Sequence, residues 1–187
     1  MTHRIVGFSG SLGVPSKTRA LVDLALTKAS GRYGILAESY DLTELVPSLM
    51  AQAGEGGPLD PVGRAIIDNI LSADALVVGS PVYKGSYSGL FKHVFDLIDP
   101  VALAGKPILL TATGGGDKHA LVIEHHLRPL FGFFEAATLP TGIYAGAADF
   151  TDGKPTSPAL LSRLDRAVDQ LSPWLGRHAA EPVTVAA

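Results

Sequence analysis

Hydrophobic and polar positions alternate along this chain between two periods. Three short, almost unbroken apolar runs, Ile5 to Phe8, Ala75 to Gly79 and Ile108 to Ala112, are closed by Gly, Ser, Pro or Thr and predict strands buried on both faces. Ile35 to Tyr40 and Leu139 to Ala145 predict two more. Between them the spacing becomes helical. One helix is predicted over Lys17–Ser30, with Ala20, Leu21, Leu24 and Ala25 on one face and Gly31 and Gly34 breaking the pattern. A second runs over Pro61–Ser72, with Pro61 in its first turn and Ala65, Ile66 and Ile70 facing the core. Others cover Leu90–Ile98, Lys118–Ala136 and Pro158–Leu175. Residues 42–60 carry Pro47, Gly54, Gly56, Gly57 and Pro58 and read as a long surface loop. Five strand–helix alternations predict an α/β fold: a doubly wound five-stranded parallel sheet in the order 2-1-3-4-5, with helices on both faces. One domain over residues 1–176 and a flexible tail over 177–187 complete the expected layout, and no internal repeat is visible.

Such sheets bind ligands beyond the carboxyl ends of their strands, where the order reverses. In the expected order the loops after strands one, three and four meet there. The first, Ser9-Gly10-Ser11-Leu12-Gly13-Val14-Pro15-Ser16-Lys17-Thr18, feeds a helix start, where unpaired N–H groups favour an anion. Ser9, Ser11, Ser16 and Thr18 add hydroxyl donors, and Lys17 a cation. A nucleoside-triphosphate loop needs two glycines five apart, but Pro15 stands five after Gly10; the dinucleotide spacing Gly-x-Gly-x-x-Gly is also missing. A hydroxyl-rich loop with neither pattern suits a terminal phosphomonoester and points toward a mononucleotide such as FMN. An ordinary strand-to-helix turn capped by Ser16 is the plainer alternative. In the second loop Pro81, Val82 and Tyr83 are candidate walls for a flat ring, with Lys84 and Ser86 as polar contacts. In the third, Thr113-Gly114-Gly115-Gly116 lets backbone N–H groups approach a ring closely. Each of these loops read alone has an ordinary explanation as a turn or as packing.

Composition narrows the classes. In 187 residues, 47% are hydrophobic and 18% charged, enough to build a real core. A net charge of −3 gives no basic footprint for nucleic acid and is too mild for a carrier docked by charge. With no cysteine, disulfides and thiolate sites are excluded. There is no secretion signal or spanning apolar run, so a cytoplasmic protein without membrane contact is expected. His119, His125 and His126 lack the spacing and carboxylate of a metal site, so no metal is expected. The 118–136 segment is apolar over much of its circumference, which fits either a deep core helix or the interface of a homo-oligomer, dimer or tetramer.

Gly10-Ser11 with Ser16, the run Ser80-Pro81-Val82-Tyr83-Lys84-Gly85-Ser86-Tyr87-Ser88-Gly89-Leu90-Phe91-Lys92, and Ala112-Thr113-Gly114-Gly115 resemble the NAD(P)H-dependent FMN reductases of flavodoxin-like fold. The nearest resemblance is to the alkanesulfonate and methanesulfonate FMN reductases of two-component monooxygenase systems. It runs from about residue 4 to 150 and includes His119-Ala120-Leu121 and Leu127-Arg128-Pro129-Leu130. The resemblance implies that Ser9, Ser11, Ser16, Lys17 and Thr18 surround the FMN phosphate, that Pro81 to Ser86 border the isoalloxazine, and that Thr113 to Gly116 line its pyrimidine side. It implies NADPH or NADH as reductant, and flavin as a transient substrate passed to a partner monooxygenase. Hydride moves directly from nicotinamide to flavin, so no catalytic side chain is named, and positioning suffices. Lys84 is a candidate to stabilise reduced flavin or to contact a nicotinamide phosphate. Some members of the family carry a tyrosine where this chain has His125, marking a π-helical bulge at a tetramer interface. Two other functions compete: a flavoprotein holding FMN tightly and reducing quinones, azo dyes or metal oxyanions, and a carrier or regulatory module without turnover.

Overall fold

The computed structural model describes residues 3–55 and 57–176; the tail expected over 177–187 lies outside the described residues. Strand β1 (Arg4–Ser9) leads to helix α1 (Lys17–Tyr33), then β2 (Leu36–Asp41), α2 (Leu42–Glu55), α3 (Pro61–Ser72), β3 (Ala75–Pro81), α4 (Gly89–Asp96) and β4 (Pro107–Thr113). After β4 the chain runs through a 3-10 turn (Asp117–His119), a π-helical segment (Ile123–Leu127) and α5 (Arg128–Phe133). Short strands β5 (Ala137–Thr138), β6 (Ile143–Ala145), β7 (Phe150–Thr151) and β8 (Lys154–Pro155) precede α6 (Pro158–Asp169) and α7 (Ser172–Leu175).

The main sheet has the order β2-β1-β3-β4, with β5 and β6 both pairing parallel to β4. This is the flavodoxin-like doubly wound arrangement, its fifth position filled in two pieces. Pro140 and Gly142 lie in the gap, where a proline has no N–H to give a ladder. Alternate residues of the central strands enter opposite cores. Val6, Phe8, Leu76, Val78, Leu110 and Ala112 pack under α2, α3, α4 and the π segment. Ile5, Ala75, Val77 and Leu109 pack under α1 and α6.

Several sequence-based expectations are corrected. Residues 42–55 form a helix, α2, rather than loop. Leu42, Leu45 and Leu49 keep a buried stripe, and Asp41 Oδ1 accepts from the Thr43 N–H at 2.8 Å while Glu44 reaches back to the Asp41 N–H at 2.8 Å. This reciprocal cap and the apolar face outweigh the one bond lost at the exposed Pro47. Gly31 does not end α1; Gly34 does, at φ 63°. In α3 the inward residues are Gly63, Ile66, Ile67 and Ile70, and Ala65 is exposed. The continuous helix expected over 118–136 is interrupted, and the last helix breaks between α6 and α7. The β7–β8 hairpin was not anticipated.

The π segment contains His125. The Arg128 N–H reaches the Ile123 carbonyl, five residues back. Pro129 supplies no N–H, and in an α-helix its ring would crowd the carbonyl four residues earlier; a widened turn relieves that crowding.

Candidate functional site

Strand register brings three loops to one edge. Ser9 of β1 lies beside Gly79 of β3, and Pro81 of β3 beside Thr113 of β4. Side-chain and backbone bonds then pin the loops together. The Gly10 N–H donates to the Gly79 carbonyl at 2.7 Å. The Ser88 hydroxyl donates to the Gly10 carbonyl at 3.0 Å and also caps α4 by accepting from the Phe91 N–H. A Cβ at Gly10 would sit 2.5 Å from the Phe91 ring, so only glycine permits this approach. The Val82 N–H donates to the Thr113 carbonyl at 2.8 Å.

In the first loop Ser16 caps α1, its Oγ accepting from the Arg19 N–H at 3.1 Å. Ser11 Oγ accepts from the Gly13 N–H at 3.2 Å. Acting as acceptors, both hydroxyls keep their own O–H to give. Ser9 Oγ is buried and has no hydrogen-bond partner among the described residues. The other two predicted donors turn elsewhere. Thr18 Oγ1 meets Thr113 Oγ1 at 2.6 Å in a buried contact, and Lys17 Nζ lies 5.3 Å above the Phe150 ring.

In the second loop Tyr83 and Ser86 close a two-residue turn by a pair of backbone bonds, 2.9 and 3.1 Å. Lys84 at φ 50° and Gly85 at φ 86° both occupy the left-handed region that such a hairpin demands. Pro81 and Val82 are half-buried, while Tyr83 is 58% exposed and Lys84 exposed. Ser86 Oγ lies 3.1 Å from His126 Nδ1, and the Tyr87 ring meets the His126 ring edge-on at 6.1 Å. The π segment therefore supports the turn.

In the third loop the Gly114 N–H donates to the Ala145 carbonyl, and the Tyr144 hydroxyl donates to the Gly116 carbonyl at 2.6 Å. A Cβ at Gly114 would come within 2.4 Å of that hydroxyl, whereas Gly115 and Gly116 face open space. Burial pushes the Tyr144 phenol up, and Asp117 and Asp149 add to the shift. Gly10, Ser88, His126 and Tyr144 are not among the site residues the sequence points to. Their roles are bonds between distant segments, which no local spacing encodes. Among the described residues no three His, Cys, Asp or Glu are grouped to hold a metal.

The edge fits a flavin mononucleotide. Residues 9–18 include no carboxylate, two hydroxyls retain a donor hydrogen, and a third is orphaned. Exposed apolar Leu12, Val14 and Tyr83 offer surface for a flat ring. A doubly wound sheet carrying such a cradle at its switch point defines the flavodoxin-like class. The chain belongs to the NADPH-dependent FMN reductase family, whose model matches residues 3–151. It is 43% identical over 175 residues (94% of this chain, 93% of the relative) to the NADH-dependent FMN reductase SfnF of Pseudomonas fluorescens strain Pf0-1. It is also 43% identical over 174 residues, 92% of each chain, to an FMN reductase (NADPH) of Pseudomonas aeruginosa. Among solved structures, an oxidoreductase from Corynebacterium diphtheriae superposes with a TM-score of 0.85 at 31% identity, covering 93% of this chain and 97% of that one.

Proposed function

We propose that this chain catalyses hydride transfer from NADPH or NADH to FMN and releases reduced FMN to a partner flavin-dependent, sulfonate-type monooxygenase. The observation that carries the reading is the orphaned Ser9 hydroxyl beneath a carboxylate-free loop at the start of α1. The relatives' activities, FMN reduction by NADH in one and by NADPH in the other, agree with it.

Ser9, Ser11 and Ser16 hold the phosphate, with the α1 N-terminus favouring its charge. Lys17 and Thr18 act on that loop indirectly, Lys17 from its place over Phe150 and Thr18 by fixing Thr113. Pro81, Val82, Tyr83, Lys84 and Ser86 border the ring, and the backbone of Thr113, Gly114, Gly115 and Gly116 faces its pyrimidine edge. Bound FMN supplies a ring nitrogen that accepts hydride. The protein has only to orient the two reactants and stabilise negative charge on the reduced ring.

Assembly is part of the proposal. Tyr87, Phe95, Ile98, Leu130, Phe133 and Phe134 contribute to a groove of about 520 Å³, and Phe133 is 68% exposed. A homo-oligomer, dimer or tetramer, covers this face, and the protein works in the cytoplasm.

The test is steady-state oxidation of NADPH and NADH by the purified protein with and without FMN. Turnover that requires added FMN supports the reading. FMN that survives dialysis, with turnover of quinones or azo dyes, favours a tightly held cofactor. No oxidation with any flavin rejects it.

A further inference from the structure

Ser88 belongs by position to the ring-side loop, yet its hydroxyl bonds the phosphate-side one. Its backbone is fixed first. The buried Ser80 Oγ accepts from the Ser88 N–H at 3.1 Å and donates to the Pro81 carbonyl at 2.9 Å, so one hydroxyl holds both ends of the 81–88 loop. The Ser88 Oγ then accepts from the Phe91 N–H at 3.3 Å, and its proton goes to the Gly10 carbonyl at 3.0 Å, 78 residues away. Among the described residues no other donor reaches that carbonyl.

The carbonyl matters because of the peptide it belongs to. Position 10 has to be glycine, since a Cβ there would meet the Phe91 ring at 2.5 Å. Glycine leaves the backbone free to rotate, so the Gly10–Ser11 peptide needs an outside restraint. In a planar trans peptide the C=O and the following N–H point opposite ways. With the Gly10 carbonyl turned to Ser88, the Ser11 N–H is turned away from it. Ser11 is buried, and its N–H has no partner among the described residues. Two residues earlier the buried Ser9 hydroxyl has none either. Buried donors left unpaired are rare, and two so close together at one strand end mark a place where an acceptor binds.

We infer that Ser88 is a positioning residue for the phosphate end of FMN: from the start of α4 it holds the Gly10–Ser11 peptide so that the Ser11 N–H stands ready to donate to a phosphate oxygen. The inference deepens the proposed reading and rests on it for the ligand. A donor fixed beforehand needs no ordering when the ligand arrives. Without the Ser88 bond the peptide rotates, the N–H is presented for only part of the time, and affinity falls by that fraction. Ser88 thus acts on the phosphate through Ser11 and not on the ring its own loop borders.

The experiment compares the full-length protein with Ser88→Gly, Ser88→Ala and Ser88→Thr, titrating each with FMN and with riboflavin by fluorescence. Ser88→Gly is the decisive variant, because glycine is tolerated at a helix start and only the hydroxyl is lost. Ser88→Gly and Ser88→Ala weaken FMN by about tenfold and leave riboflavin within about twofold. Ser88→Thr, which keeps the hydroxyl, restores FMN affinity. In turnover KM for FMN rises while kcat holds, since the ring is placed as before. Equal losses for both flavins show a role confined to capping α4 and overturn the inference. So does a preference for FMN that persists in Ser88→Gly, which leaves the phosphate assignment standing. A parent protein that binds the two flavins equally rejects that assignment and this inference together. The expected binding pattern in a parent that reduces no flavin upholds Ser88 and rejects the reductase reading instead.

Discussion

Thr18 Oγ1 and Thr113 Oγ1 meet at 2.6 Å inside the protein, 95 residues apart in the chain. One stands in the first turn of α1 and the other ends β4, so the bond joins the start of α1 to the strand end that opens the glycine loop. In the sequence the Thr18 hydroxyl looks like a ligand donor, and in the fold it is paired with Thr113.

Thr18→Val strands the buried Thr113 hydroxyl and costs about 1–3 kcal/mol, as does Thr113→Val. The double variant loses less than the sum, because neither hydroxyl is then left without a partner. Urea unfolding of the four proteins measures the coupling. Additive losses within about 0.5 kcal/mol would refute it.

Ser9→Ala is expected to separate stability from binding. The hydroxyl is buried and unpartnered, so its removal leaves the flavin-free protein as stable as before or firmer by about 1 kcal/mol. FMN affinity falls by about tenfold, the value of one charge-assisted hydrogen bond. Riboflavin, which lacks the phosphate, loses little. Fluorescence titration with both flavins decides the matter, and equal losses would contradict the phosphate assignment.

Gly114→Ala forces a methyl group against the Tyr144 hydroxyl, 2.4 Å from the position a Cβ would take. Overpacking of this kind costs about 1–3 kcal/mol, and flavin binding weakens because the glycine loop must shift. Tyr144→Phe alone releases the Gly116 carbonyl at a cost of about 1 kcal/mol. Combined with Gly114→Ala it relieves the clash, so the double variant is more stable than the two single losses added together. Thermal unfolding of the set tests this.

The Glu124–Arg128 pair gives the π segment a pH-dependent clasp. Arg128 also donates to the Thr138 hydroxyl and the Leu139 carbonyl, tying this region to β5. The bond to Arg128 lowers the Glu124 pKa in the folded state, so protons are bound more tightly when the chain is unfolded. The stabilisation is complete above the ordinary value of 4.5 and disappears as pH falls through and below it. For so exposed a carboxylate it amounts to no more than about 1 kcal/mol. Glu124→Gln is therefore less stable than the parent near neutrality and equal to it in strong acid. A gap that persists unchanged at low pH would rule out this origin.

The sequence by itself determined the layers and their order. Ala75–Gly79 and Ile108–Ala112 are apolar on both faces, and only the interior of a parallel sheet uses such runs. It also located the three loops, because Gly, Ser and Pro punctuate strand ends locally. Helix α2 was legible in its Leu42, Leu45 and Leu49 stripe, yet Pro47 and the following glycines outweighed it until the Asp41–Glu44 cap was visible. The division of labour within the site came only from tertiary structure. Whether a threonine hydroxyl faces a ligand or another threonine, and whether Lys17 reaches an anion or lies over Phe150, depends on residues more than 90 positions away. Hydrogen bonds are short and directional, so their partners are decided where the folded segments meet, while hydrophobic periodicity is written into each segment alone.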